Sequence, residues 1–476
     1  MDDTLVRDER WTDALAAIPG VRRAGALRAQ LSGELLLPDD IGYHTARRVW
    51  NPAVDQWPAM IARCKSAADV ASAVRFAREE SLPVTVRSGG HSFAGFGVRD
   101  GAMMIDLSRL KAMKVQGGRR LATAQPGLTW GEFTRVAAAC GLATTGADIS
   151  TVGIGGMTLG GGMGWLHRVC GAACDNVAGA DVVLADGSIV RASADDNPDL
   201  YWALRGGGGN FGIVTSLDYR LYRIDEIVGG IALHPLSRAR DALALYRELC
   251  GTAPDALRLA VFLITAPPAR FIPEEMRGKP VVMMCGAYFG PLDEGERALR
   301  PLKRFGPPTV DLIRRMRYLQ LEHRAPPAGL HHHGTGEFLR ALDEATIDAL
   351  VDAAANTVSP FMIILVNQLG GAFSRVADGE TPFGLRQAAH SVGIHCMWNP
   401  GDSPSAHEAW THALWESLRP ASAGGAAINL QTDEGDERVR GAYGPAVFTR
   451  LAQLKRRYDP ENFFRVNYNI EPATAT

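Results

Sequence analysis

Long hydrophobic runs are absent: no apolar stretch approaches the ~20 residues that a membrane helix needs. Net charge is nearly absent too. Lys and Arg number 50 against 52 Asp and Glu, and the formal charge of −2 gives no electrostatic case for nucleic acid or an anionic membrane as partner. Cysteine is sparse and odd in number, seven residues without metal-type pairs. That pattern suits free thiols in a reducing cytoplasm better than a disulfide framework. Cys170 and Cys174 read as two small buried residues, with a cofactor-coupled thiol as the sharper alternative. The start, MDDTLVRDERW, is acidic and lacks an apolar core, so a secretory signal is not expected, and no apolar stretch follows Arg22-Arg23. A P-loop is missing. "GIGGMT" also fails the dinucleotide G-x-G-x-x-G pattern, because its third glycine would fall at Thr158.

Glycine, by contrast, is plentiful, at 52 of 476 residues, and it is concentrated. Between Gly153 and Gly164, "GIGGMTLGGGMG" holds more glycine than a packed helix or strand requires. Such density means that backbone turns repeatedly or approaches something closely, and the apolar residues between the glycines argue for a buried, ligand-lining loop. Gly206 to Gly209 form a second such place, and Gly89-Gly90 a third. The third closes "VRSGGH", where a turn explains the glycines but not His91.

A chain of 476 residues exceeds one core, so two or three domains are expected. The first forty residues read as a helical lead-in. Ser66 can cap a helix through Val70, Ala71 and Val74. Strands are expected at Pro83–Val86, Met103–Leu107 and Leu121–Ala124. Thr129 and Glu132 form a capping box. "DVVLADGSIV" (residues 181–190) is a hairpin signal. Past Ile227 the character changes. Strands are expected at Leu257–Ala266, Pro280–Tyr288, Phe361–Gln368 and His390–Trp398, with helices at Ala239–Cys250 and Ala406–Leu418 between them. The pattern predicts one sheet with helices on one side and a ligand on the other.

Together, "VRSGGH", "GGGMGWLHRVCGAACDNV", "ADVVLADGSIV", "NPDLYWALRGGGGNFGIVT" and "KRRYDPENFFRVNYNI" resemble the berberine-bridge-enzyme-like FAD-linked oxidases of the vanillyl-alcohol oxidase / p-cresol methylhydroxylase superfamily. The resemblance spans about residues 40–470 in family order. It implies an α+β fold, with a two-subdomain FAD-binding domain at 40–227 after the lead-in at 1–39. A substrate domain with an antiparallel sheet follows at 228–429, and 430–476 return to the FAD domain. It implies FAD as cofactor, joined through the imidazole of His91 to the flavin 8α-methyl. It further places Arg87, Ser88, Gly89, Gly90 and Ser92 at the FAD, with Gly153, Gly155, Gly156, Gly160, Gly161, Gly164 and Trp165. Asp175, Asn176, Val177, Gly212, Ile213, Val214, Tyr468 and Asn469 complete that set. The implied activity transfers a hydride from a C–OH or C–N carbon of a small aromatic, polyketide or alkaloid-like molecule to the flavin, with dioxygen leaving as hydrogen peroxide. A flavoprotein that only sequesters a drug-like compound, and a dehydrogenase with another electron acceptor, are the alternatives.

Two departures from the family pattern matter. Doubly linked members carry a cysteine where this chain has Ile149, so one covalent bond is expected. The acid–base tyrosine of a Tyr-x-Asn motif is replaced in Ala427-Ile428-Asn429, and Tyr468 stands where glutamine is usual. A substitute base is therefore sought in the substrate domain, from His395, His333, Asn367 and Gln368, with Tyr468 as a flavin-contacting residue. A histidine base would titrate at about 6 to 7. His390 and His395 point to opposite faces of one strand, as do Asn367 and Gln368. The run His331-His332-His333 is open to three readings: a pocket-lining His333, a solvent-exposed run, or a metal site, for which no third ligand is evident. No metal is expected.

Overall fold

The computed structural model describes residues 19–321 and 329–474. The acidic start and the first part of the lead-in lie outside the described residues. What is described of the lead-in is a helix, Pro19–Gln30, and then a short strand that the helical expectation missed, β1 (Glu34–Leu36).

Among the described residues, three main sheets and a two-stranded ribbon make an α+β architecture. In the first, β1, β2 (Met60–Arg63), β3 (Val84–Arg87) and β4 (Met103–Asp106) take the order β1-β2-β4-β3. β2, β4 and β3 run parallel, and their Met60, Met103 and Ile105 side chains are sealed in a core with the helix Ala67–Glu79. That helix starts where expected, with the Ser66 hydroxyl accepting from the Asp69 amide.

The second sheet is antiparallel. It joins β5 (Met113–Gln116), β6 (Leu121–Ala124), β8 (Val177–Val183), β9 (Ile189–Ser193) and β10 (Ile213–Arg220), in the order β5-β6-β10-β8-β9. A two-stranded ribbon, β7 (Leu142–Ala143) with β11 (Tyr222–Arg223), lies beside it. β8 and β9 are the hairpin that Asp186-Gly187 signals. The capping box of Thr129 and Glu132 opens the helix Trp130–Ala138. The glycine-rich segment departs from a plain loop: its first half is a short helix, Ile154–Leu159, and only the second half is irregular.

The third sheet is the largest. β12 (Glu226–Pro235), β13 (Leu257–Thr265), β14 (Pro280–Tyr288), β15 (Val310–Asp311), β16 (Arg314–Arg317), β17 (His331–Leu339), β18 (Ile363–Gln368) and β19 (His390–Trp398) follow the order β15-β12-β14-β13-β18-β19-β17, with β16 also on β12. Helices Ala239–Thr252, Leu292–Arg304, Glu344–Ala355 and Pro404–Leu418 bury Leu243, Leu299, Leu350 and Leu414 against one face. Along β18 and β19 the alternation is strict. Ile364, Val366, Val392 and Ile394 enter that core, while Ile363, Leu365, Asn367, Ser391, Gly393 and His395 face the other way, toward a cavity.

The C-terminal segment returns to the second sheet. A fully buried Lys455 ammonium donates to the carbonyls of Asn210 (2.8 Å) and Phe464 (2.9 Å) and to the Asp459 carboxylate (2.7 Å). Asp459 in turn accepts from the amides of Phe463 and Phe464. This knot fixes the chain that carries Asn467 and Tyr468. No described helix is long and apolar enough to cross a membrane.

Candidate active site

A cavity of about 440 Å³ lies where all three sheets and the C-terminal segment meet. Its wall begins at the end of β3. Gly90 takes φ +71°, which only glycine adopts without strain, and the turn swings His91 into the cavity. A Cβ on Gly89 would fall 2.3 Å from the Gly153 nitrogen, and one on Gly153 would fall 2.5 Å from the Ser88 hydroxyl. The two glycine turns are therefore packed backbone to backbone. The His91 ring stacks on Trp50, with centroids 5.1 Å apart and planes 19° from parallel. Burial pushes its imidazole down to about 4, so it is neutral at pH 7.

On the roof, His332 and His395 form a pair, with Nε2 and Nδ1 3.2 Å apart. β17 and β19 set Gly334 directly opposite His395, which makes His332 its diagonal neighbour on the same face. Asn51 clamps the His332 backbone in both directions, donating to its carbonyl (2.8 Å) and accepting from its amide (3.1 Å). Phe93 packs on both rings and Trp50 on His332. Burial lowers His395 to about 4, and burial, then His395, holds His332 well below its ordinary value. Farther along the roof, Arg258 donates to Asp148 (2.8 Å) and to Asn367 Oδ1 (2.7 Å).

The structure brings together Arg87, Ser88, Gly89, Gly90, His91, Ser92, Gly153, Gly155, Gly156, Gly160, Gly212, Ile213, Val214, Asn367, His395 and Tyr468, all on this wall. Other candidates are corrected by the geometry. His333 is on the reverse face of β17 and lines a separate cavity of about 810 Å³ with Glu337, Trp415 and Arg438, because neighbouring strand residues alternate. Gln368 is buried behind the sheet, with Oε1 accepting from the Leu259 amide at 3.0 Å. Gly161 packs against Phe383, and a Cβ on Gly164 would strike the Gly146 carbonyl at 1.6 Å. Trp165 lies under the Arg258 guanidinium, 4.2 Å from its ring centre. Asp175 is ion-paired to the buried Arg386 (2.7 Å). Asn176 holds the carbonyls of Cys170 and Ala172, and the Val177 carbonyl accepts from Tyr201. Asn469 also stands off the wall. These residues shape the loops from behind.

Sequence reasoning missed Trp50, Phe93, Asp148, Arg258, His332 and Ser391 on the wall. One signal was available for Ser391: Ser391, Gly393 and His395 alternate with Val392 and Ile394, which marks a small and polar face. Arg258, a lone charge in the apolar run "LRLAVFLIT", was another. Trp50 and Phe93 sit in loops that carry no periodicity.

Residues 58–193 match the family described as FAD binding domain, and residues 427–471 match Berberine and berberine like. The chain is 30% identical over 470 residues to (R)-6-hydroxynicotine oxidase of Paenarthrobacter nicotinovorans, covering 93% of this chain and 97% of that one. The chain belongs to the berberine-bridge-enzyme-like family of FAD-linked oxidases. A crystal structure of 6-hydroxy-D-nicotine oxidase from Arthrobacter nicotinovorans superposes with a TM-score of 0.84 at 29% identity, covering 93% and 98% of the two chains. Xylooligosaccharide oxidase of Thermothelomyces thermophilus is 27% identical, over 89% of each chain. As a family member the protein is an FAD-linked oxidoreductase. Its cavity fits the cofactor: a Cβ on Gly156 or Gly209 would meet no protein atom within 4 Å. In the same wall Asn467 Oδ1, Ser391 Oγ and His332 Nδ1 are buried without a protein partner. A shaped cradle with unspent hydrogen-bonding atoms is what a polar cofactor and its substrate require.

Proposed function

We propose that this protein is an oxidase holding FAD by one covalent bond through His91. Its substrate is a small aromatic, polyketide or alkaloid-like molecule, oxidised at a carbon bearing O–H or N–H. Residues 40–227 with 430–476 hold the cofactor, and residues 228–429 cover the substrate. The observation that carries the reading is the placement of a neutral, half-buried His91 on the same cavity wall as the neutral pair His332–His395.

A neutral imidazole has the free lone pair that a bond to the flavin methyl carbon would need; the methyl C–H bond would break in exchange, its hydrogen leaving as a proton and its electron pair passing through the flavin to dioxygen. Ile149 lines the cavity where a second attachment would be made, and it has no thiol. No cysteine lines this cavity among the described residues, and burial pushes the Cys170 thiol up to about 12. When bound, FAD supplies the hydride acceptor and hands two electrons to dioxygen, giving hydrogen peroxide.

The chain's own residues handle the proton. A Cβ on Gly393 would lie 2.9 Å from His395 Nε2, so the imidazole folds over the glycine and that nitrogen is turned along the cavity roof. In the tautomer whose Nδ1–H donates to His332 Nε2, His395 Nε2 is left as the acceptor, and the proposed role requires that tautomer. It can take the proton from a substrate O–H or N–H in the role that Ala427 cannot fill. Tyr468 is unsuited to that role. Its hydroxyl donates to the Gln431 carbonyl, and burial, then Glu434, raises its pKa. Among the relatives, two are named as oxidases of a hydroxynicotine and of xylooligosaccharides, and the missing tyrosine weighs against a simple sugar here.

The test is an anaerobic screen of aromatic alcohols, cyclic amines and sugars against the holoenzyme. An oxidase bleaches with a substrate and recovers its yellow colour in air with release of peroxide. Recovery only with an added electron acceptor would indicate a dehydrogenase, and binding without bleaching a sequestering protein.

A further inference from the structure

Beyond the histidine pair, the cavity roof has a second polar end. Asn367 and Ser391 stand directly opposite each other in the β18–β19 register, on the cavity side. Ser391 is 1% exposed and its hydroxyl has no protein partner, although it lines the cavity. The Asn367 amide has one permitted orientation. Arg258 is only a donor, so the atom 2.7 Å from it must be Oδ1, which leaves both Nδ2 hydrogens free. Asp148, 2.8 Å from the same guanidinium, offsets its charge. This end therefore presents hydrogen-bond donors and no net charge.

Between the two polar ends the roof is apolar. Ile363 and Leu365 line it, and the His395 imidazole lies over Gly393 between its own backbone and Ser391. Three residues of strand lie between Ser391 and His395, four strand rises or about 13 Å between α-carbons.

We infer that the Asn367–Ser391 end is a substrate-anchoring subsite that selects a neutral hydrogen-bond acceptor, a carbonyl or ether-type oxygen, on a flat apolar ring system reaching toward His395. A carboxylate is disfavoured because Arg258 is already matched by Asp148. A hydrocarbon edge is disfavoured because it would leave the Ser391 hydroxyl and the Asn367 amide unpaired and dry. The inference rests on the oxidase reading for the identity of the cavity, but its test does not need turnover.

The probes are 1-indanone, indane and indane-1-carboxylate, which share one ring system and differ in the polar group. Each is titrated into the holoenzyme by isothermal titration calorimetry. 1-Indanone should bind about ten-fold tighter than either analogue, the span expected of one or two well-made neutral hydrogen bonds. Ser391→Ala removes no hydrogen bond from the fold, and it should cost 1-indanone several-fold while leaving indane unchanged. Asn367→Leu should do the same. Equal binding of ketone and hydrocarbon, tightest binding of the carboxylate, no measurable ketone binding, or a ketone preference that survives Ser391→Ala would each overturn the inference. If the ketone preference holds but no alcohol or amine bleaches the flavin, the oxidase reading fails and the subsite stands. If bleaching occurs without a ketone preference, the subsite fails alone.

Discussion

His395 and His332 lie against the sheet with ring nitrogens 3.2 Å apart, and they can do so only because two of their neighbours are glycine. A Cβ on Gly334 would fall 2.8 Å from both His332 Cε1 and His395 Nδ1, and one on Gly393 would fall 2.9 Å from His395 Nε2. Real Cβ atoms essentially never come so close, so a single methyl must displace a ring.

Gly393→Ala is therefore expected to lower turnover ten-fold or more, since a general base contributes about 10²–10⁴ and works only at hydrogen-bond distance. Neither glycine packs on the glycine turns around His91. Flavin content, read from the visible absorbance per protein, should stay at the wild-type level. A variant with full activity would show that the His395 position does not matter. Gly334→Ala should behave alike.

The pH dependence follows from burial. His395 is held down to about 4, and it accepts a proton only when neutral. The neutral fraction grows as pH rises, so turnover should climb through an apparent pKa of about 4 and be flat from about pH 5.5 upward. The unperturbed histidine value would instead give a climb between pH 6 and 7. His395→Gln should abolish the climb and keep a low, level rate. A wild-type inflection that persists unchanged in the variant assigns the proton to another group.

Much of this was legible in the chain. β6, β14 and β19 run over the expected residues, because Leu121–Ala124, Pro280–Tyr288 and His390–Trp398 alternate or are apolar between clear turn signals. The capping residues Ser66 and Thr129 also act as read. The histidine run shows what a sequence withholds. Alternation alone places His331 and His333 on one face and His332 on the other, but which face meets the cavity depends on register with β19, a pairing across more than 60 residues. The placement of Asp175 behind the loop was hidden for a similar reason, since its ion-pair partner Arg386 is more than 200 positions away.

The buried Lys455–Asp459 pair should be expensive to break. Lys455→Met would leave the Asp459 carboxylate buried with no cation beside it, a loss of about 3–5 kcal/mol. The denaturation midpoint should fall accordingly. The double variant Lys455→Met/Asp459→Leu should recover part of the loss, because the stranded charge is gone. A single variant as stable as wild type would mean that the C-terminal segment is not anchored by this knot.

The attachment of the flavin tests the central claim most directly. The protein is denatured in acid, digested, and its peptides are mapped by mass spectrometry. The account predicts one flavin-bearing peptide, modified at His91, with the yellow colour staying with the protein after denaturation. In His91→Ala some FAD should still bind, released on denaturation, because the glycine turns and the cavity wall remain. Free FAD in the wild-type supernatant, or flavin on any cysteine, would contradict it.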